Sequence, residues 1–232
     1  MLLDLMSTRA KQTLQLVRPT AKAMPWRPVI WAAVLAIVYV WKEAPGAYID
    51  YRVLVLRVAA LLVCMGAAFV LDDATEDTIS HLPSPLLLRR ALRVALLLPL
   101  VAATWFLLVY LAGDVAPRDG GPMPVGDITL EAATLLATAL AAACIGARVT
   151  SDRLGGVAAA PILLAVIAVA LFLPGNYKLI VSVGDPRWAN VHDTWRMALT
   201  VAVVVFVYVN RSPGTYRTMS HLRALRPASH QI

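Results

Sequence analysis

Charge is scarce in this chain. Asp, Glu, Lys and Arg supply 15% of its 232 residues, where an ordinary globular domain carries about 25%. A water-soluble domain is excluded, because 59% of the residues are hydrophobic and the mean hydropathy is +0.70. Short catalytic signatures are missing as well. No G-x-x-x-x-G-K-[ST] phosphate loop occurs, so the chain cannot bind ATP in that manner by itself, and H-E-x-x-H, C-x-x-C and G-x-S-x-G are absent too. The two cysteines, Cys64 and Cys144, each fall inside an apolar run, which predicts buried free thiols and no disulfide or metal site. The four histidines, His81, His192, His221 and His230, are scattered over segments on both sides of the apolar runs and are read as solvated. Acidic or basic residues at the middle of a run, the usual mark of ion-coupled transport, are lacking, which disfavours a proton- or sodium-driven carrier.

What remains is apolar length. Crossing a hydrocarbon layer of about 30 Å takes roughly 20 mostly apolar helical residues. Six candidate spans follow: residues 28–41 extended on either side, 53–71, 92–112, 128–147, 156–174 and 195–210. The expected fold is therefore an all-α integral membrane protein with six transmembrane helices. Lys and Arg mark the cytoplasmic side. With the N-terminus inside, fourteen of these residues lie in inner segments, against Lys42, Arg52, Arg118, Lys178 and Arg187 outside. Both termini are expected in the cytoplasm, in a multi-pass plasma-membrane protein. The net charge of +7 is a topology signal and gives no reason to expect nucleic-acid binding. The first apolar run starts near residue 28 with no small-residue cleavage pattern close behind it, so the N-terminal segment is expected to be kept.

Three regions organise the chain: residues 1–24, the spans and loops of 25–210, and a basic tail, 211–232. In the first, Leu3, Met6, Ala10, Leu14 and Val17 share one helical arc, while Asp4, Lys11, Gln15, Arg18 and Lys22 share another. A basic amphipathic helix of this kind lies in the lipid headgroup region and ends near Pro25 and Trp26. The loop 113–127, rich in Pro and Gly, is read as an outer loop. The connection 175–194 has Tyr177 and Trp188 and suits a segment at the outer interface. The tail reads as solvated and cytoplasmic.

The most distinctive inner segment is the insert 72–90. Asp73, Ala74, Thr75 and Glu76 match a capping box, and Asp72, Asp73, Glu76 and Asp77 place negative charge at the positive end of a helix dipole. Pro83 and Pro85 stop that helix near Leu82, after about two turns. Within the spans, Ala133, Ala137 and Ala141 recur every four residues, as do Ala139 and Ala143, a spacing that lets helices approach closely. Arg57 and Glu131 each sit about a turn inside the outer end of a span. Arg57 is expected to snorkel outward and Glu131 to reach water. Asp185, His192 and Asp193 sit together in the last outer loop, where a membrane-surface enzyme would use such groups.

With these features in place, the layout resembles the membrane subunits of type-2 ATP-binding cassette exporters, particularly the small permeases of high-GC actinobacteria. The resemblance rests on the N-terminal helix at 2–22, the capped insert at 72–90 and the connection at 175–194, and covers nearly the whole length. It implies that residues 73–82 form a coupling helix, with Asp73, Glu76, Asp77, Ile79, Ser80 and His81 meeting a separate ATPase subunit. It implies further that ATP and Mg are bound by that partner, and that a second permease copy or paralogue completes the pathway. Arg57 and Glu131 are candidates for that pathway, and the expected cargo is an amphipathic or lipid-like substrate in contact with membrane lipid. A non-transporting scaffold or regulatory subunit, binding cytoplasmic partners through 72–90 and the tail, is the alternative of a different class.

Overall fold

A computed structural model of the chain describes residues 17–72, 86–113, 122–149, 155–174 and 178–211. They form seven α-helices: α1 (Val17–Ala23), α2 (Trp26–Glu43), α3 (Ile49–Ala68), α4 (Leu86–Gly113), α5 (Val125–Val149), α6 (Gly155–Phe172) and α7 (Trp188–Arg211). One 3-10 turn, Phe69–Leu71, extends α3, and no strand occurs among the described residues. Five of these helices, α3 with its 3-10 turn and α4 to α7, are long and apolar enough to cross a membrane. The bent pair α1–α2 makes a sixth if it is counted as one span. Helices are the expected outcome for such runs, since lipid offers no partner to backbone N–H and C=O groups and each segment must satisfy its own.

Helix α5 is the centre, packed against α3, α6 and α7, while α2 lies along α3. Burial agrees: 61% of the most apolar stretch of α3 and 56% of that of α5 are buried, against 22% for α4 and α7 and 28% for α6. The outer helices turn Phe106, Val201 and Tyr208 outward, a surface suited to acyl chains. Of the two alanine rows on α5, Ala139 and Ala143 are buried against neighbours, while Ala133 faces out. Cys64 and Cys144 are buried free thiols, as expected.

Two glycine seams set the spacing. A Cβ on Gly66 of α3 would lie 2.5 Å from the Ala32 Cβ of α2 and 2.9 Å from the Pro28 carbonyl oxygen. At the other seam, a Cβ on Gly146 would meet Ala158 Cβ at 2.5 Å, and one on Gly156 would meet Phe69 Cα at 2.8 Å. Only glycine admits these approaches. Between α2 and α3 the chain reverses at Gly46, whose φ of 69° is open to glycine at no steric cost.

The end of the bundle holding this reversal is called the turn end below, and the opposite end, where α3 finishes and α4 and α6 begin, the insert end. Two expected boundaries are corrected. Helix α7 starts at Trp188 and not near 195, because Asp185 folds back in an Asx turn, its Oδ1 accepting the Arg187 N–H at 2.8 Å, and Pro186 then feeds the first helical turn. Helix α4 starts at Leu86, so residues 86–90 belong to a helix and not to the insert. The expected coupling helix 73–82, with Asp73, Glu76, Asp77, Ile79, Ser80 and His81, lies outside the described residues. So do residues 1–16 of the expected interface helix and all of the tail beyond Arg211.

Candidate functional site

At the turn end, three ionisable side chains from three helices converge. Arg57 lies eight residues into α3, Glu131 six into α5 and His192 four into α7. At 1.5 Å per residue they therefore stand about 12, 9 and 6 Å inside their helix starts, at similar depth. Arg57 grips Glu131 through two bonds, Nε to Oε2 at 2.6 Å and Nη2 to Oε1 at 2.7 Å. His192 meets the same carboxylate, with Nε2 3.1 Å from Oε1, and its Nδ1 lies 2.7 Å from the Trp188 carbonyl oxygen.

Burial decides what this cluster means. The side chains of Glu131 and His192 are 4% and 1% exposed and that of Arg57 is 12% exposed. Arg57 does not snorkel, because the inward route offers a carboxylate with ideal two-point geometry and a third bond to the Val181 carbonyl oxygen at 3.3 Å. Glu131 does not reach water, because Arg57 and His192 occupy it. Nor is His192 a solvated loop residue: the early start of α7 carries it one turn into the bundle.

The segment 178–187 closes the site from above. The Val183 N–H donates to Asp50 Oδ1 at 2.8 Å, and Trp195 Nε1 donates to the Leu179 carbonyl oxygen at 3.1 Å. Trp188 roofs the cluster. Its ring lies 5.9 Å from the Arg57 guanidinium carbon and 4.4 Å from the His192 ring, and its Nε1 donates to Asp127 Oδ2 at 2.6 Å. Cation–π attraction and that anchored indole hold Arg57 in its inward rotamer. Helices α5 and α7 approach again one turn deeper, where the Thr134 hydroxyl shares its hydrogen between the Leu130 carbonyl oxygen at 2.8 Å and the Trp195 carbonyl oxygen at 3.3 Å.

The other group expected to act together is dispersed. Asp185 pairs with Arg187 at 2.8 Å, exposed Asp193 pairs with Arg196 along α7, and His192 faces the interior. Asp185, His192 and Asp193 thus share a stretch of sequence and no common centre. The guanidinium and backbone N–H of Arg187 pull the Asp185 carboxyl down to about 2.

The insert end holds a second polar cluster. Asp72 Oδ1 accepts the Gly156 N–H at 2.6 Å, and Arg93 Nη1 donates to the Asp72 carbonyl oxygen at 3.2 Å. Arg90 Nη1 donates to Asn210 Oδ1 at 2.8 Å, and Asn210 Nδ2 in turn donates to the Phe206 carbonyl oxygen at 2.6 Å and reaches Cys144 Sγ at 3.4 Å. Both arginines are buried, at 6% and 7% exposure. Desolvation raises the Asp72 carboxyl above its ordinary value, opposed by the bonds from the N–H groups of Gly156 and Gly155.

Sequence reasoning placed Arg57 and Glu131 in spans but missed their pairing, and it assigned His192 and Trp188 to an outer loop, His192 beside Asp185 and Asp193, instead of to this site. A signal was present: Asp127 and Glu131, and Trp188 and His192, each stand four apart and so share a helix face. Comparison with protein-family models, curated proteins and solved structures gives no match for this chain.

Proposed function

We propose that the chain is the permease subunit of an ATP-binding cassette exporter, moving an amphipathic or lipid-like substrate with ATP hydrolysed on a separate subunit. The observation that carries this reading is the anchoring of both flanks of the insert. Asp72 on one side is bonded to α6 through Gly156 and to α4 through Arg93, and α4 on the other side is bonded to α7 through Arg90 and Asn210. A force applied to residues 73–85 would thus be delivered to α4, α6 and α7 together, as an ATPase-driven switch between two packings requires. The 70° bend between α1 and α2, with Trp26 Nε1 held on the Ala21 carbonyl oxygen at 2.6 Å, supports an interface helix turning into a first span. On this reading α1 lies along the interface, α2 is the first of six spans, and both termini face the cytoplasm.

Purification of the tagged full-length chain from its native host in mild detergent tests the reading. An ATP-hydrolysing partner in stoichiometric amount, lost in the Glu76→Lys, Asp77→Lys variant while the permease still assembles, is the expected result. A chain that purifies alone, or with a partner that binds no nucleotide, would favour the scaffold and overturn the permease.

A further inference from the structure

We propose that the elbow between α1 and α2 is a binding site for an anionic phospholipid, with the headgroup phosphate on Arg18, Lys22 and Arg27 and an acyl chain along the outward face of α2. The proposal is independent of the permease reading. Its starting point is the division of charge between the two ends of the bundle. Among the described residues the turn end carries six cations and six carboxylates. The insert end carries eight cations against Asp72 alone: three on α1 and the start of α2, three in the first turns of α4, and one each at the ends of α5 and α7. The segments joined to that end, 1–16, 73–85, 150–154 and 212–232, add six cations and five acids, so they do not cancel the excess. A cationic rim of this kind is drawn to anionic lipid, and the attraction acts within a Debye length of the charged bilayer.

The elbow presents three of these cations on a fixed frame. Helix α1 meets α2 at 70°, Met24 at the corner is buried in the bundle core, and Trp26 Nε1 donates to the Ala21 carbonyl oxygen at 2.6 Å. Arg18 and Lys22, four apart, share a face of α1 and are exposed, as is Arg27 in the first turn of α2. Among the described residues no carboxylate pairs with any of the three. Arg90 and Arg93, by contrast, are turned inward onto Asn210 and the Asp72 carbonyl oxygen. What adjoins Arg27 selects a lipid over a soluble acidic protein. Trp31, Val34 and Val38 continue its helix face and are all exposed. From Arg27 to Val38 the stripe rises about 16 Å, close to half of a hydrocarbon layer of about 30 Å. One phospholipid in one leaflet matches that pairing of cations with apolar length, whereas a water-soluble partner would leave the stripe uncovered.

Fluorine NMR of the full chain, labelled with fluorotryptophan and held in phosphatidylcholine nanodiscs, tests this at the site. Trp31 and Trp41 lie on the same face of α2 and are equally exposed, at 66% and 67%, but Trp41 sits at the turn end beside Lys42 and Glu43, whose charges cancel. Trp31→Phe and Trp41→Phe assign their resonances. A trace of phosphatidylglycerol with a nitroxide on its acyl chain is then compared with the same amount of equally labelled phosphatidylcholine. Phosphatidylglycerol should broaden Trp31 at least about fivefold more than phosphatidylcholine does, the factor that one cation near a charged bilayer supplies, and the two lipids should broaden Trp41 alike. The Arg18→Gln, Lys22→Gln, Arg27→Gln variant should lose the difference at Trp31. Its Trp195 resonance, from an indole held on the Leu179 carbonyl oxygen, should stay in place and so report an intact bundle. Equal broadening of Trp31 by the two lipids would overturn the proposal and leave the surface to an acidic protein, and a preference that survives in the variant would overturn it too. Inorganic phosphate that abolishes the preference where chloride of equal ionic strength does not would assign the site to free phosphate and overturn the lipid.

Discussion

Asp72 and Gly156, 84 residues apart, are joined by a 2.6 Å hydrogen bond in which a carboxylate oxygen receives the first N–H groups of α6. Asp72 thus caps a helix to which it does not belong, and fixes where the chain leaves α3 for the insert. Removal of an N-terminal cap costs about 1 kcal/mol. Asp72→Ala should therefore lower stability by that order, and Asp72→Asn, which keeps an acceptor oxygen, by much less. Because burial raises the carboxyl of Asp72, the folded state holds its proton better than the unfolded one. Its contribution is then largest at low pH and declines as pH rises through the folded-state value. Unfolding of both variants from pH 4 to 7 checks this; equal losses in the two would sink the capping role.

The ion pair at the turn end makes a sharper forecast. Breaking a buried pair by removing one partner costs about 3–5 kcal/mol, since it strands a charge, whereas replacing both partners by apolar residues is often far less damaging. Arg57→Leu and Glu131→Leu should each destabilise the bundle strongly, and the double variant less than either single one. A double-mutant cycle on unfolding free energies reads the coupling; simple additivity would mean the two side chains do not act as a pair.

The glycine seams predict opposite signs for one substitution at two places. Gly66→Ala forces a methyl group to within 2.5 Å of Ala32 and should cost about 1–3 kcal/mol as α2 is pushed off α3. Gly126→Ala, in open space in the first turn of α5, should be neutral or stabilise by about 0.5–1 kcal/mol. Cys64 and Cys144, at 3% and 0% exposure, give a convenient readout, since a thiol-reactive dye reaches them only as the bundle opens. The temperature of dye uptake should fall in the first variant and not in the second.

At the foot of α7 the Asx turn should survive mild acid. The Asp185 carboxyl, pulled down to about 2 from its ordinary 3.8, stays ionised to far lower pH than a free one. What it contributes is fully present above 3.8 and is lost as pH falls towards 2. Carboxyl NMR should place its titration near 2 in the wild type and return it towards the ordinary value in Arg187→Ala; a wild-type midpoint near 3.8 would refute the pairing.

Helix content, span number to within the bent first pair, buried thiols and the inward turn of Ala139 and Ala143 were all legible in the sequence. They follow from local causes: apolar run length, and the small-residue period that allows backbones to touch. The boundary of α7 was not legible by apolarity, because its first two turns carry Asn190, His192, Asp193 and Thr194. Only the Asp-Pro start signal at 185–186 would have extended it back to Trp188.

The sequence by itself determined that this chain belongs in a membrane as helices, because hydrophobicity and backbone satisfaction are properties of segments. Only the tertiary structure decided that Arg57, Glu131 and His192 are one site. They come from three helices, 74 and 61 residues apart. Each read alone as a charge near a membrane surface, and the meeting depends on helix rotation and depth. Burial then changes what each needs, since a charge that would be solvated at an interface must instead find its partners inside the bundle.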